Sequence, residues 1–232
     1  MTRTAGELAL RERAFALLSD IDLYGVASVA EAAGTPLHES AVALLPGAQA
    51  IVVLGMELFP EVLQLLTPEK LMGEAAAREL YGPHVDYQNG RLNRGLYRLA
   101  HLLRAEGYKT IPLPSLGTPV DARFQRGILS FKHAGEYAGL GRIGRSSLLI
   151  TDEFGPRQRL ACLLTDAPLP ATWRELANPC ANCAGDCIAS CPAGALAVPA
   201  GEEPYAINKY ACCAFRAGAG ACSTCMSGCS RA

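Results

Sequence analysis

Nine of the chain's ten cysteines lie within its last 62 residues, where their spacing fits a metal-cluster ligand set better than a disulfide framework. One run reads Cys180-x2-Cys183-x3-Cys187-x3-Cys191-Pro192 and the other Cys222-x2-Cys225-x3-Cys229, with Cys212 and Cys213 between them. Thiolates are soft ligands suited to iron. In two-cluster ferredoxins the fourth cysteine of a run serves the neighbouring cube. Applied here, that rule gives one [4Fe-4S] cluster to Cys180, Cys183, Cys187 and Cys229. The second takes Cys191, Cys222, Cys225 and either Cys212 or Cys213. Small residues between the ligands (Ala181, Ala184, Gly185, Ser223, Gly228) allow the backbone to curl around a cube and aim amides at its sulfurs. The pattern departs from a ferredoxin run twice: three residues separate Cys183 from Cys187, and Ser230 stands where Pro would follow Cys229. Zinc accepts the same thiolates, but its modules normally space two C-x2-C pairs by a dozen or more residues. Disulfides suit secreted chains, and no secretory signal is read here.

A second group of residues with chemical potential surrounds Gly139-x-Gly141-x-x-Gly144. The letters match a dinucleotide fingerprint, which needs a strand before it and a helix after it to place a pyrophosphate at the helix N-terminus. Here Phe131 to Tyr137 reads as helix and Ser147 to Thr151 as strand, and Gly155-Pro156 interrupts the interval where a crossover helix belongs. The expected role is instead a tight turn whose amides approach a large cofactor. Arg142, Arg145, Arg157 and Arg159 flank the turn and could clamp phosphate or amide groups, or form an ordinary polar rim. His133, Glu136 and Tyr137 could handle protons there, or form a solvated polar group. Cys162, in an apolar strand, reads as a small buried hydrophobe.

These residues need a scaffold. Leu8, Ala14, Phe15 and Leu18 predict a helix over Glu7 to Leu18, and Leu23 to Val29 a strand. Ala50 to Met56 is apolar on both faces, as a covered central strand would be. Leu92, Leu96, Leu99 and Leu103 predict a helix within His84 to Glu106, capped at Gly107. Lys109 to Pro114, Ser147 to Thr151 and Arg159 to Asp166 read as strands. Residues 1–170 are therefore expected to form a mixed-sheet α/β domain. The proline-rich stretch from Ala167 to Trp173 then leads into a small ferredoxin-like two-cluster domain over 171–232.

The 232-residue chain balances 21 Lys and Arg against 22 Asp and Glu, a formal net charge of -1, so it lacks the cationic excess of nonspecific nucleic-acid binding. No apolar run approaches the roughly 18 to 20 residues of a transmembrane helix. Glu7, Arg11, Glu12 and Arg13 stand where a signal peptide would be apolar, and a cytoplasmic location is expected.

The segment His133-Ala-Gly-Glu-Tyr-Ala-Gly-Leu-Gly-Arg-Ile-Gly-Arg-Ser-Ser-Leu-Leu-Ile-Thr, followed by Phe154-Gly-Pro-Arg, Leu163-Leu-Thr-Asp and the double cysteine run, resembles the epoxyqueuosine reductase family and its shorter relatives. Leu44-Leu-Pro-Gly-Ala, Asp86-Tyr87 and Asn208-x3-Cys212 extend the resemblance. Reductive dehalogenases share the same plan. The resemblance implies a cobalamin held between the α/β and ferredoxin-like parts, with flavin or no such cofactor left open by the residues themselves. It implies Cys212 rather than Cys213 as the isolated ligand, and Asp121, in Val120-Asp121, as the acidic proton donor, although the gap to Ala138-Gly139 is longer here. Asp86-Tyr87-Gln88 stands where the family has Asp-Tyr-His, so a role for that imidazole is lost. The family's helical-repeat region that grips tRNA has no counterpart before Ala232, and a tRNA substrate is not expected. The function implied is an iron-sulfur oxidoreductase that reduces an unidentified substrate through a cobalamin-type cofactor. The alternative is an electron-transfer or corrinoid-activating protein without turnover. Expected partners are a ferredoxin- or flavodoxin-type donor, a small-molecule substrate or corrinoid, and a second copy in a homodimer, with no nucleic acid or membrane.

Overall fold

The computed structural model describes residues 5–66, 79–201 and 203–231. The side chain of Leu8 lies outside the described part. In chain order the elements are α1 (Ala5–Ala16), β1 (Leu23–Ser28), α2 (Pro36–Leu44), β2 (Ala50–Glu57), α3 (Pro60–Gln64), α4 (Tyr81–Ala105), β3 (Thr110–Leu113), β4 (Val120–Asp121) and β5 (Arg126–Gly127). There follow α5 (Phe131–Tyr137), β6 (Gly141–Ile143), β7 (Leu149–Thr151), β8 (Gln158–Thr165), α6 (Asp186–Ala189), β9 (Leu196–Ala197), β10 (Ala206–Ile207), α7 (Lys209–Ala219) and α8 (Thr224–Ser227).

They gather into two compact units. The first comprises Met1–Met56, Asn89–Leu140 and Arg159–Glu175. Its sheet has the order β1-β2-β8-β3, with β1 antiparallel to β2 and β3 antiparallel to β8. Every residue of β2 from Ala50 to Met56 is buried, because alternate side chains feed two separate cores. Val52, Leu54 and Met56 pack with Leu92, Leu96, Leu99 and Leu103 of α4, while Ile51 and Val53 face Leu37, Ala41 and Leu164. The leucine stripe thus sets the register of α4 on the sheet. Gly107 ends that helix at φ +90, a left-handed value that glycine adopts cheaply, while Tyr108 N donates to Leu103 O. This is the α/β architecture expected from the sequence.

The proline-rich stretch after residue 166 is bound back onto this unit. Thr172 Oγ1 accepts from Val26 N at 2.8 Å and donates to Ala138 O at 2.7 Å, and Arg174 Nε donates to Gly139 O at 3.1 Å. The boundary read near residue 170 therefore falls within a segment that the first unit holds.

The second unit draws on Glu57–Gln88, Gly141–Gln158 and Leu176–Ala232. A cysteine-rich stretch with few large apolar residues buries little by itself, and the earlier segments supply its packing partners. Ser223, fully buried, donates from Oγ to Leu63 O at 2.6 Å. Arg157 and Glu57 form a 2.9 Å ion pair with side chains only 11% and 25% exposed. The β6–β7 hairpin pairs Gly141 with Thr151 and Ile143 with Leu149. Among the described residues no helix is long and apolar enough to cross a membrane.

Candidate metal centre

The second unit presents its cysteines on short turns, on the single-turn helices α6 and α8 and on the longer α7. Cys187 sits in α6, which Gly185 enters at φ +90, a left-handed value that would strain most other residues. Cys212 and Cys213 lie in α7, whose first turn is closed by Asn208 Oδ1 accepting from Ala211 N. Cys225 lies in α8. Backbone amides point at sulfur, among them Arg145 N at Cys180 Sγ (3.4 Å), Gly185 N at Cys183 Sγ (3.4 Å) and Ala195 N at Cys191 Sγ (3.3 Å). Such donors stabilise negative charge on sulfur, as a cluster ligand requires.

The thiols influence one another in two groups. Burial raises Cys187, and Cys229, Cys180 and Cys183 raise it further by repulsion. Burial likewise raises Cys229, with Cys180 and Cys183 adding to it. Burial pushes Cys225 up to about 12, with Cys222, Cys212, Cys187 and Cys191 adding repulsion. Cys212 is raised by burial, opposed by Arg216, and also feels Cys213, Cys222 and Cys191. Cys183 is held lower by the Gly185 amide and the Ser230 hydroxyl. Crowded, partly buried thiols of this kind resist ionising together unless positive charge stands among them, which a metal centre supplies. Cys180, Cys183, Cys187 and Cys229 thus interact as one set, and Cys191, Cys212, Cys213, Cys222 and Cys225 as another, linked through Cys187 and Cys225. Among the described residues no three His, Cys, Asp or Glu side chains gather closely enough to bind one single ion. Cys162, in β8, is fully buried with a strongly raised thiol and stands apart as a core residue.

The glycine-rich turn runs from helix into strand, α5 then β6, the reverse of a dinucleotide-binding turn. Its glycines meet protein. A Cβ on Gly139, which has φ +70, would stand 2.8 Å from Arg174 N; one on Gly141 would stand 2.2 Å from Ile150 O. A Cβ on Gly144 would lie 2.3 Å from Ile150 Cδ1 and 3.1 Å from Cys180 Sγ. The first two glycines are accounted for by backbone packing, and the third by the approach of β6 to a cysteine. The arginines are engaged too. Arg142 NH1 donates to Leu176 O at 3.4 Å, Arg145 NH1 to Cys183 O at 2.9 Å, and Arg157 NH1 to Glu57. Arg145, read from the sequence as a flank of the turn that could clamp a cofactor, here holds two successive cysteines of one set through its amide and its guanidinium.

The proton-handling candidates Asp121, His133, Glu136 and Tyr137 fall in the first unit. Asp121 is bound by Arg123 through Nε and NH2 at 3.2 and 2.9 Å, and this pairing holds its carboxyl below the usual range. It is therefore ionised, a state unsuited to donating a proton. Tyr137 packs partly buried against the core that contains Leu164. His133 Nδ1 lies 2.6 Å from Ser130 Oγ, and burial lowers its pKa from 6.5, with Lys132 adding and Glu136 opposing. The neutral ring is favoured in the fold, so the unfolded chain takes up a proton first as pH falls. This contribution to stability is present above the unfolded value and is lost as pH falls through the folded one. Urea midpoints should thus drop between about pH 7 and about pH 5 more in the wild type than in His133→Gln. Equal drops would remove His133 from the acid sensitivity.

No protein-family model matches the chain. A tetrachloroethene reductive dehalogenase from Desulfitobacterium hafniense is 33% identical over 158 residues, covering 58% of this chain and 26% of that protein. An epoxyqueuosine reductase from Bacillus cereus is 31% identical over 156 residues, covering 66% of this chain and 37% of its own length. The chain thus spans well under half the length of these curated relatives. A solved reductive dehalogenase, described with a mechanism for B12-dependent dehalogenation, shares the fold at a TM-score of 0.65 with 17% identity, over 90% of this chain and 29% of that one. The resemblance read from the glycine-rich segment and the cysteine runs is therefore present in sequence and in fold.

Proposed function

We propose that this relative of epoxyqueuosine reductases and reductive dehalogenases is an iron-sulfur oxidoreductase that binds two [4Fe-4S] clusters and works with a cobalamin-type cofactor on a substrate not yet identified. The observation that carries the reading is the gathering of nine cysteine thiols into two interacting groups, with backbone amides donating to sulfurs in both. Cys180, Cys183, Cys187 and Cys229 would hold one cluster, and Cys191, Cys212, Cys222 and Cys225 the other. When bound, the clusters would carry single electrons and the corrinoid would supply a strongly reducing cobalt centre. The chain's own part is to fix the sulfurs. The Arg145 guanidinium restrains the Cys183 carbonyl, its amide and that of Ala195 stabilise charge on Cys180 and Cys191, and buried Ser223 anchors α8.

The cobalamin component rests on the relatives. Backbone closes in on Gly139 and on Gly141, and Arg142 and Arg145 donate to carbonyls, whereas Arg157 pairs with Glu57 through NH1 and leaves its buried Nε without a partner. Asp121 favours a second reading, an electron-transfer or corrinoid-activating protein without turnover, because its carboxylate is paired with Arg123 rather than poised to give up a proton. Anaerobic reconstitution with iron and sulfide should yield about eight of each per chain. Subsequent titration with cob(II)alamin should perturb the corrinoid spectrum saturably. Two zinc ions without sulfide would end the cluster reading. Clusters without corrinoid binding would select the carrier.

A further inference from the structure

We propose, on the reading that the cysteine sets hold iron-sulfur clusters, that the exposed face of α7 and the cavity beside it form the docking surface for an acidic one-electron carrier protein.

The helix is unusual in its covering. None of its eleven residues is buried, although it carries Cys212 and is closed at its N-terminus by Asn208. Lys209 and Arg216, both exposed, lie seven residues apart and hence two turns apart on one side of the helix. Tyr210, 57% exposed, adds an aromatic beside them. A cavity of about 310 Å³ opens at the C-terminal end of α7, lined by Tyr81, Cys213, Arg216, Gly220 and Cys222 among others. Cys222, assigned to the second cluster, thus lines a surface cavity that Arg216 also lines.

Charge decides what fits there. From Pro204 to Ala232 the chain carries Lys209, Arg216 and Arg231 and not one Asp or Glu, within a protein whose net charge is -1. The excess of positive charge is therefore local to the stretch that supplies Cys212, Cys222 and Cys225. A carrier with an acidic rim around its own redox group would be steered to this face and held weakly. Redox encounters sit at the small end of interface sizes and depend on electrostatics for their rates. Three cations are few for tight binding of a nucleic acid, whose affinity grows with the number of phosphates neutralised. In the step served by the complex, one electron leaves the reduced carrier and is taken up at the centre bounded by Cys222. No bond is made or broken.

The test uses the full chain reconstituted with iron and sulfide, and compares wild type with Lys209→Glu/Arg216→Glu. Reduction is followed by stopped-flow bleaching of the visible absorption, with an acidic flavodoxin hydroquinone as one reductant and reduced methyl viologen, a small cation that needs no docking face, as the other. The double variant is expected to lose about tenfold in rate with flavodoxin at low salt relative to its own rate with viologen, which takes up any change that the Arg216 charge makes at Cys212. The wild-type flavodoxin rate should fall as salt rises, and the variant's should change little. Iron and sulfide are counted beforehand, so failure to load clusters would overturn the underlying reading and be seen as such. With clusters intact, an unchanged flavodoxin rate in the variant would overturn the proposal. So would loss of binding to an RNA stem-loop with flavodoxin reduction unaltered.

Discussion

Gly141→Val is expected to dismantle the β6–β7 hairpin rather than to empty a ligand site. A Cβ at this position would stand 2.2 Å from Ile150 O, 2.7 Å from Ile150 C and 3.1 Å from Thr151 Cα, all backbone atoms of the paired strand. Valine adds two methyl groups to that overlap. The strand cannot recede without giving up the register that pairs Gly141 with Thr151, so destabilisation of about 3 kcal/mol or more is expected. The damage should spread, because the hairpin also carries Gly144 and Arg145 against Cys180 and Cys183. Thermal unfolding followed by circular dichroism should show a large drop in midpoint, with reconstituted iron falling alongside it. A variant that melts like the wild type and loses only corrinoid binding would show that the glycine serves a ligand after all.

Cys180→Ser and Cys191→Ser should remove different clusters, each leaving about four of about eight iron atoms. The two residues stand only eleven positions apart, so proximity along the chain would predict a shared fate. The electrostatic grouping predicts otherwise: Cys180 acts on Cys187 and Cys229, whereas Cys191 acts on Cys212 and Cys225. Cys212→Ala should likewise leave about four iron atoms and Cys213→Ala about eight, following the resemblance carried by Asn208-x3-Cys212. Electron paramagnetic resonance of the reduced proteins, with iron and sulfide analysis, reads the outcome. Loss of the same signal in Cys180→Ser and Cys191→Ser would overturn the assignment of sulfurs to clusters.

The parts of this structure legible in the sequence are those governed by periodicity. The leucines at 92, 96, 99 and 103 gave away α4 and its buried face. The unbroken apolar run at Ala50 gave away a strand covered on both sides, and Gly107 the end of the helix. Helix before and strand after the glycine-rich turn were also readable, and they excluded a dinucleotide site. What close packing decides was not readable. The glycines at 139 and 141 looked like places where a ligand comes near, yet the approaching atoms belong to residues 172–174 and 150–151. No local pattern reveals which distant backbone will fill such a space. Asp121 matched a family proton donor by its neighbour Val120, and no spacing rule foretold that Arg123, two residues on, would pair with it. Nor does spacing disclose that residues 57–88 and 141–158 join the cysteine-rich stretch, since that follows from tertiary contacts alone.

The hydrogen bond from Ser223 to Leu63 spans 160 residues of sequence, and the pair Arg157–Glu57 spans 100, both inside the second unit. Loop closure over such distances adds little to the equilibrium cost, about 0.6 kcal/mol for each doubling of length. Its weight falls on kinetics, because contacts so remote in sequence slow folding far more than they weaken the folded state. Closure of the unit that gathers the thiols is therefore expected to be slow, and until it closes its cysteines stand open to oxidation and to stray metal. For the same reason the stretch from residue 171 onward cannot be lifted out as a miniature ferredoxin. It would leave behind Leu63, the hairpin and the arginine on which its own cysteines rest.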